Sequence, residues 1–518
     1  MHASARSFTI LGIDALRVDV EADCVEASSA ETSGWSIVGL GDAAVRESRD
    51  RVKAALKNSG FAMGQRRVTV NLAPADIRKE GSHLDLPIAL AALAGTGRLD
   101  PRGRLARVAV IGELGLDGGV KAIPGALPMA VGARDQGLDA LILPAENAAE
   151  AAYVRGIDVI PVRRLAEAVG FLRGEVEILP TRVADSSGTE NQSHDTFMDF
   201  RDVKGQEGAK RALEIAAGGG HNALMIGPPG SGKTMLAKRL PSILPEMTFD
   251  EAIETTKIFS IAGKLDRREG LIRHRPFRSP HHTASHVALV GGGAMPKPGE
   301  VSLAHNGVLF LDEFPEFSRP VLEVLRQPLE DGVVHISRAQ MSLSFPANFI
   351  LCAAMNPCPC GYAGHPERRC ICNPIAVQRY VGRISGPLLD RIDLHVVVGA
   401  VKLEDMHRRA PGESSATIRA RVNRARAIQT QRFADRPGIH CNAQMGPKDL
   451  EKYCVLGDDA RRLLDAAIKG LDLSARAYDR LLKVSRTIAD LVGSDLIGPD
   501  HLSEAVQYRT LDRGMGGL

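Results

Sequence analysis

Nowhere in its 518 residues does the chain carry a run of about 18 uncharged apolar residues, so a membrane-spanning helix is not expected. The first residues, "MHASARSFTI", lack the long apolar core of a secretory signal, and a cytoplasmic location without a membrane partner is the expectation. Excess charge of either sign is missing too, the formal net charge being +3. Bulk charge therefore neither points to nucleic acid nor excludes it, and any basic surface must be local. Cysteine is scarce: eight residues, unevenly spaced, argue against a disulfide scaffold. No internal repeat of fixed period is visible.

What is present suits a soluble globular protein, with 44% hydrophobic and 25% charged residues. The length suits about three domains. Over residues 1–178, strand-like runs ("RVAVIGEL", "ALILP", "DVIPV") alternate with alanine-rich helical stretches ("DAAVRESRDRVKAALKNSG", "LPIALAALAG"), which predicts an α/β domain. Residues 179–198 contain the polar stretch "RVADSSGTENQSHDTF" and read as a linker. A second α/β region follows over 199–400. Beyond residue 401 the pattern is helical ("SSATIRARVNRARAIQTQRF", "DDARRLLDAAIKGL", "SARAYDRLLKVSRTIADL"), which predicts a small C-terminal helical domain.

The central chemical signal is "GPPGSGKT", Gly227-Pro228-Pro229-Gly230-Ser231-Gly232-Lys233-Thr234. An apolar strand candidate, "NALMI", precedes it and a helix candidate, "TMLAKRLPSIL", follows, which is the context of a P-loop. The glycines let backbone N–H groups turn towards phosphate oxygens, and the helix N-terminus adds partial positive charge. Lys233 is expected on the β- and γ-phosphates of ATP, and Thr234 on Mg2+. Downstream, "GVLFLDEF" places Asp312 and Glu313 at the end of an apolar strand, where Asp312 can hold Mg2+ through water and Glu313 can polarise the attacking water. A third apolar strand, "NFILCAAMN", ends at Asn356, a candidate sensor of the γ-phosphate.

P-loop, Asp-Glu pair, sensor asparagine and "GPLLDRIDLH" together resemble the AAA+ ATPases of the magnesium-chelatase and MCM-helicase branch. "RPFRSPHHTASHVALVGGG" and "PKPGEVSLAHNGVLFLDE" resemble the magnesium-chelatase ATPase subunit, and the whole chain resembles the YifB/ComM family. The resemblance implies a Lon-like N-terminal domain, an AAA+ P-loop core and a helical lid, assembled as a homohexameric ring. It also implies that Arg391, in "LLDRID", is an arginine finger completing a neighbour's site, and that Arg476, in "LSARAYDR", is the sensor arginine of the lid in preference to Arg486. Read from the residues alone, each is an arginine of the kind that usually ends in a surface ion pair.

"RKEGSHLDLPIALAAL" and "IGELGLDGGVKAIPGALPMA" resemble the Lon protease domain, with two departures. His83 stands where the serine nucleophile belongs, and Met129 where the lysine base belongs. A methionine accepts no proton, and Ser82, one position away, has no visible base. A retained fold without peptidase activity is the expectation. The same domain also resembles the C-terminal domain of the recombination ATPase RadA.

Directly after Asn356 comes "NPCPCGYAGHPERRCIC", with Cys358, Cys360, Cys370 and Cys372. Four thiolates can close a tetrahedral Zn2+ site, with His365 as a substitute ligand; unligated thiols and an iron–sulfur cluster are the alternatives. Three places offer arginine to a nucleic-acid backbone, which arginine grips without reading sequence. The stretch "EDGVVHISRAQMSLSFPANF" reads as a hairpin, and the resemblance places Arg338 towards a ring channel. "RPFR" carries Arg275 and Arg278; the helix over 419–432 carries five arginines spread around it and reads as mainly solvated. The reading that follows is a DNA motor driving branch migration on single-stranded and branched DNA. A chelatase-like ATPase that remodels a partner protein is the alternative.

Overall fold

The computed structural model describes residues 2–29, 33–76, 79, 81–182, 198–266, 270–293, 296–338, 341–365, 367–400, 412–436, 438–471 and 474–509. Most of the expected linker, residues 183–197, lies outside the described residues. Among the described residues no helix is long and apolar enough to cross a membrane. The chain divides into two compact units, one of residues 1–189 with 252–272, the other of 190–251 with 273–518.

The first unit is built on a seven-stranded mixed sheet. Its strands run, edge to edge, Gly34–Val38, Arg66–Ala73, Asp14–Glu26, His2–Leu11, Val108–Val110, Ala140–Pro144 and Asp158–Val162. The period-2 alternation of His2–Leu11 supplies both faces: Ala3 and Ala5 join one apolar cluster, Phe8 the other. The helix Asp85–Gly95 is buried along its whole length in the first cluster, which is why its sequence is apolar all round. The helix Ala126–Asp135 covers the opposite face with Leu127, Met129 and Ala130.

Residues 252–272 depart from the sequence reading, which places them in the ATPase core. They pack with the first unit instead. Ser260 Oγ accepts from the Gly125 N–H at 3.0 Å and donates to Glu150 at 2.9 Å, and Ile253 packs against the cluster around Phe8 and Leu141. A buried serine with both hydrogen-bond roles satisfied belongs to the unit that satisfies it.

The second unit contains a five-stranded sheet, parallel throughout, in the order Phe277–Arg278, Val308–Leu311, Ile350–Met355, Ala223–Ile226, Leu394–Val397. Its inner strands are buried on both faces, so they read as unbroken apolar runs and not as alternating ones. Register matters more than composition here. Ile226 pairs with Met355 and Leu311 with Ala353, so the carboxyl ends of three neighbouring strands finish side by side. That edge of an open parallel sheet is where ligands bind.

The C-terminal helices Ser415–Arg432, Asp458–Leu471 and Ala475–Val492 form where the sequence predicts them, and a further helix, Pro499–Gln507, follows. Ser414 and Ser474 cap two of them, each accepting the N–H three residues on. Ile418, Val422, Leu481 and Ile488 share one apolar core with Met225 and Phe310 of the sheet, so the helices are continuous with the ATPase core within one compact unit. Residues 401–411 and 510–518 of this region lie outside the described residues.

Candidate functional site

Three strand ends deliver the expected nucleotide site. After Ala223–Ile226 the chain enters the glycine-rich loop, with Gly230 at φ 77° and Gly232 at φ 90°, conformations that glycine adopts without steric cost. At Gly227 a Cβ would collide with the Val398 carbonyl, so only glycine lets the loop start this close to the neighbouring strand. Pro228, Pro229 and Ser231 complete the loop before the helix Lys233–Ile243. Lys233 Nζ donates to the carbonyls of Gly227 (2.7 Å) and Pro228 (2.9 Å) and to Asn356 Oδ1 (3.2 Å). Burial pushes the lysine below its ordinary range. The structure thus brings the P-loop lysine and the sensor asparagine into direct contact.

Thr234 Oγ1 donates to Asp312 Oδ2 at 2.7 Å. A hydroxyl and a carboxylate are hard oxygen donors, the set that Mg2+ takes beside nucleotide phosphates, so the residues fit the cation that an ATP site requires. Glu313 has a left-handed backbone, φ 51°, and its carboxylate lies 3.1 Å from His282 Nδ1. His282 in turn packs on His281, ring centroids 4.1 Å apart, and edge-on to Phe317. Sequence reading missed His282. Its position just past Phe277–Arg278, the strand beside Val308–Leu311, brings it to Glu313, and the sheet order was not legible in the sequence.

Arg391 and Arg476 converge on a residue the sequence did not single out. Arg391 donates to the Pro387 carbonyl (2.7 Å) and pairs with Glu330. Arg476 lies 4.0 Å from the same carboxylate. Hydrogen bonding from Arg391 holds the Glu330 carboxyl below its ordinary range. The backbone behind Arg391 is fixed as well: Asn222 Nδ2 donates to the Arg391 carbonyl while Asn222 Oδ1 accepts from Leu351 N. Arg486, the less favoured sensor, is buried and donates to Asp490 and to the Ser494 and Asp495 carbonyls, a helix-end clamp.

The basic candidates separate. Arg275 donates to the carbonyls of Pro245, Glu246 and Asn306 and pairs with Glu251, and Arg278 pairs with Glu300 at 2.6 Å. Arg275 is therefore held as a structural clamp, whereas Arg278 is paired with Glu300 through its Nε. Arg338 ends a strand, opposite Met341 in the two-stranded hairpin Val333–Arg338/Met341–Pro346; its side chain lies outside the described residues. In the arginine-rich helix, Arg421 pairs with Glu214 and Glu413, Arg426 donates to the Ala217 carbonyl, and Arg432 grips Asp490. Only part of that helix is therefore solvated.

In the first unit Ser82 hydrogen-bonds Glu113, a carboxylate, and Lys79 is buried with its Nζ on the Pro74 carbonyl. His83 is buried, its Nε2 has no hydrogen-bond partner, and burial pushes its pKa down to about 4. Met129 is packed in the apolar cluster. None of these contacts links a hydroxyl to an amine base.

The four cysteines 358, 360, 370 and 372 gather, all four Sγ within 4.8 Å of one another. Cys358–Cys360 is 3.4 Å, and Cys370 lies 3.6 Å from each. Sulfurs on one tetrahedral zinc stand about 3.8 Å apart, and a disulfide would need about 2 Å, so the spacing fits a shared cation. Cys358 and Cys372 also accept backbone N–H groups, from Ala363 and Cys360. His365 is not in the cluster: its Nδ1 accepts from the N–H groups of Glu367 and Arg368 and closes a turn.

Comparison with known proteins matches the description "Magnesium chelatase, subunit ChlI" over residues 199–406, "Subunit ChlI of Mg-chelatase" over 20–147, and "Magnesium chelatase, subunit ChlI C-terminal" over 412–509. The chain is 44% identical to the protein YifB of Salmonella typhimurium over 505 residues, 97% of this chain and 96% of the relative. It is 45% identical to competence protein ComM of Haemophilus influenzae over 507 residues, again 97% and 96%. Lon protease 2 of Bacillus subtilis is 30% identical over 154 residues, 28% of this chain and 27% of the protease. Near-complete coverage by such relatives, with a P-loop, Asp-Glu pair and sensor assembled at one sheet edge, places the chain in the YifB/ComM family of magnesium-chelatase-like AAA+ ATPases.

Proposed function

We propose that this ATPase is a DNA motor: a cytoplasmic homohexameric ring that binds single-stranded and branched DNA without sequence preference and drives branch migration of recombination intermediates. The observation that carries the reading is a P-loop, Asp-Glu pair and sensor asparagine in the same unit as a two-stranded hairpin, outside the main sheet, whose first strand ends at Arg338. A relative named for competence, matched almost end to end, supports the DNA substrate and a role in transformation. In the ring, Arg391 serves the ATP of the adjacent subunit, where a cation offsets charge developing on the transferred phosphoryl group. The first unit performs no peptide hydrolysis, because among the described residues Ser82 bonds a carboxylate and His83 Nε2 has no partner, so neither is joined to an amine base. The four thiols hold one Zn2+.

The alternative is a chelatase-like ATPase that remodels a partner protein, favoured by the family descriptions matched over 199–406 and 412–509. The ATPase rate with and without single-stranded, duplex and four-way-junction DNA separates the two. Stimulation by DNA, ATP-dependent junction movement lost in Lys233→Ala, and loss of stimulation with intact basal turnover in Arg338→Ala are the expected results. Phosphate contacts should also make binding fall steeply with salt. A protein that binds no DNA at low salt and leaves junctions intact with ATP and Mg2+ favours the remodelling reading.

A further inference from the structure

We propose that the four-cysteine loop is the support that sets the phosphate-binding loop and the sensor asparagine, so that filling the thiolate centre controls nucleotide affinity. The proposal rests on the readings of the P-loop as an ATP site and of the four thiols as a zinc centre.

Three connections tie the loop to the nucleotide site. The first is covalent: Cys358 lies two residues beyond Asn356, whose side chain accepts from Lys233 Nζ. The second is packing. Gly361, at φ 85°, carries its backbone against the ring of Pro229 in the phosphate loop, and a Cβ placed there would meet Pro229 Cδ at 2.6 Å and Cγ at 2.7 Å. The third closes the circuit. After Cys372 the chain enters the helix Pro374–Val381, and the phenol of its buried Tyr380 comes to the backbone N–H of Asn356. The loop therefore starts at the sensor, leans on the phosphate loop, and returns to the sensor.

The loop has little else to hold it. Cys358 is fully buried, but Ile371 is 88% exposed and Ile375 67% exposed, so the segment buries no apolar core of its own. Its other side-chain ties are local: Tyr362 edge-on to His365, Arg368 on the Tyr362 ring and hydroxyl, and His365 accepting the Glu367 and Arg368 N–H groups. Ordering such a segment costs conformational entropy that these contacts do not offset. Four thiolates converging on one cation offset it, as in small metal-dependent folds. With the loop ordered, Pro229 is backed and Asn356 is fixed at both ends, so the phosphate-binding N–H groups are pre-organised before nucleotide arrives. With the loop loosened, nucleotide binding must order the loop, and affinity falls.

The experiment uses the full chain, purified without chelator, with zinc measured by elemental analysis. Affinity for a fluorescent ATP analogue with Mg2+ is measured in the purified chain, after removal of zinc, and after its return. We expect about one equivalent of zinc, affinity weakened about tenfold or more by its removal, and recovery on its return. Gly361→Ala, which disturbs the Pro229 contact and leaves the thiols, should retain zinc and still weaken the analogue. Unchanged affinity in the zinc-free chain with its circular dichroism intact overturns the proposal. If zinc removal unfolds the chain, Gly361→Ala decides, and wild-type affinity in that variant overturns it. Less than about half an equivalent of zinc overturns it through the metal reading. Lys233→Ala keeps the ATP-site reading separate: undiminished affinity there fails that reading, whatever the loop does.

Discussion

At the scale of single residues, burial and partners decide what a side chain is for. Arg275 has the composition of a phosphate contact and the bonding of a clamp, while Arg278 makes a single pair with Glu300. Glu330 gathers Arg391 and Arg476 on one carboxylate: Arg391 is buried, and Arg476 stays largely exposed in a looser pair. His83 gives a prediction with a sign. Its pKa falls from the ordinary 6.5 to about 4 in the folded chain because burial disfavours the imidazolium. Below about 6.5 the unfolded chain binds a proton that the folded chain refuses, so the first unit loses stability as pH falls from 6.5 towards 4 and is unaffected above that window. The loss approaches on the order of 3 kcal/mol. Trp35, the single tryptophan, sits in the strand Gly34–Val38 against the core of that unit and reports its unfolding. Urea titrations at several pH values should show a wild-type decline that His83→Leu flattens; parallel curves for the two would show that His83 titrates normally.

At the scale of elements, the helix Ser415–Arg432 shows how one stretch of like residues divides its labour. Arg432 donates to Asp490 at 2.6 and 2.7 Å and to Asn442 at 2.9 Å, and Asp490 is buried. Arg424, on the same helix, is exposed. Removing the first leaves a buried carboxylate with Arg486 and Asn442 alone; removing the second leaves nothing unpaired. Arg432→Ala should cost about 2 kcal/mol or more and Arg424→Ala no more than about 0.5 kcal/mol. Thermal unfolding followed by circular dichroism checks the pair, and equal losses would mean that the helix is solvated throughout. The four-cysteine loop, read from the sequence as a candidate metal site beside the sensor, places Gly361 against Pro229 of the phosphate loop.

At the scale of the molecule, the reading of Arg391 is a statement about neighbours. Within one chain its guanidinium is engaged by Glu330 and Pro387, and its backbone by Asn222. If it acts across a subunit boundary, Arg391→Ala protomers should bind ATP and hydrolyse it poorly. Mixing them with Lys233→Ala protomers should then restore part of the activity, since some interfaces pair an intact loop with an intact finger. Steady-state ATPase across mixing ratios tests this; mixed rings that form and show no recovery at any ratio point to a site completed within one chain.

The sequence by itself determined the chemistry that is local in the chain. Strand, glycine-rich loop and helix are contiguous from Ala223 to Ile243, so Lys233 and Thr234 were legible, as were Asp312, Glu313 and Asn356 at the ends of apolar strands. Three of the helices beyond residue 412 were legible from their helical pattern. The four thiols, and the loss of serine and lysine in the Lon-like unit, are likewise contiguous patterns. Only the tertiary structure decided which arginines are free, which unit holds 252–272, and that His282 meets Glu313, Glu330 meets Arg391, and Gly361 meets Pro229. Those partners are brought together by sheet order and packing, and an arginine or a histidine carries no local mark of the distant residue that will take its hydrogen bonds.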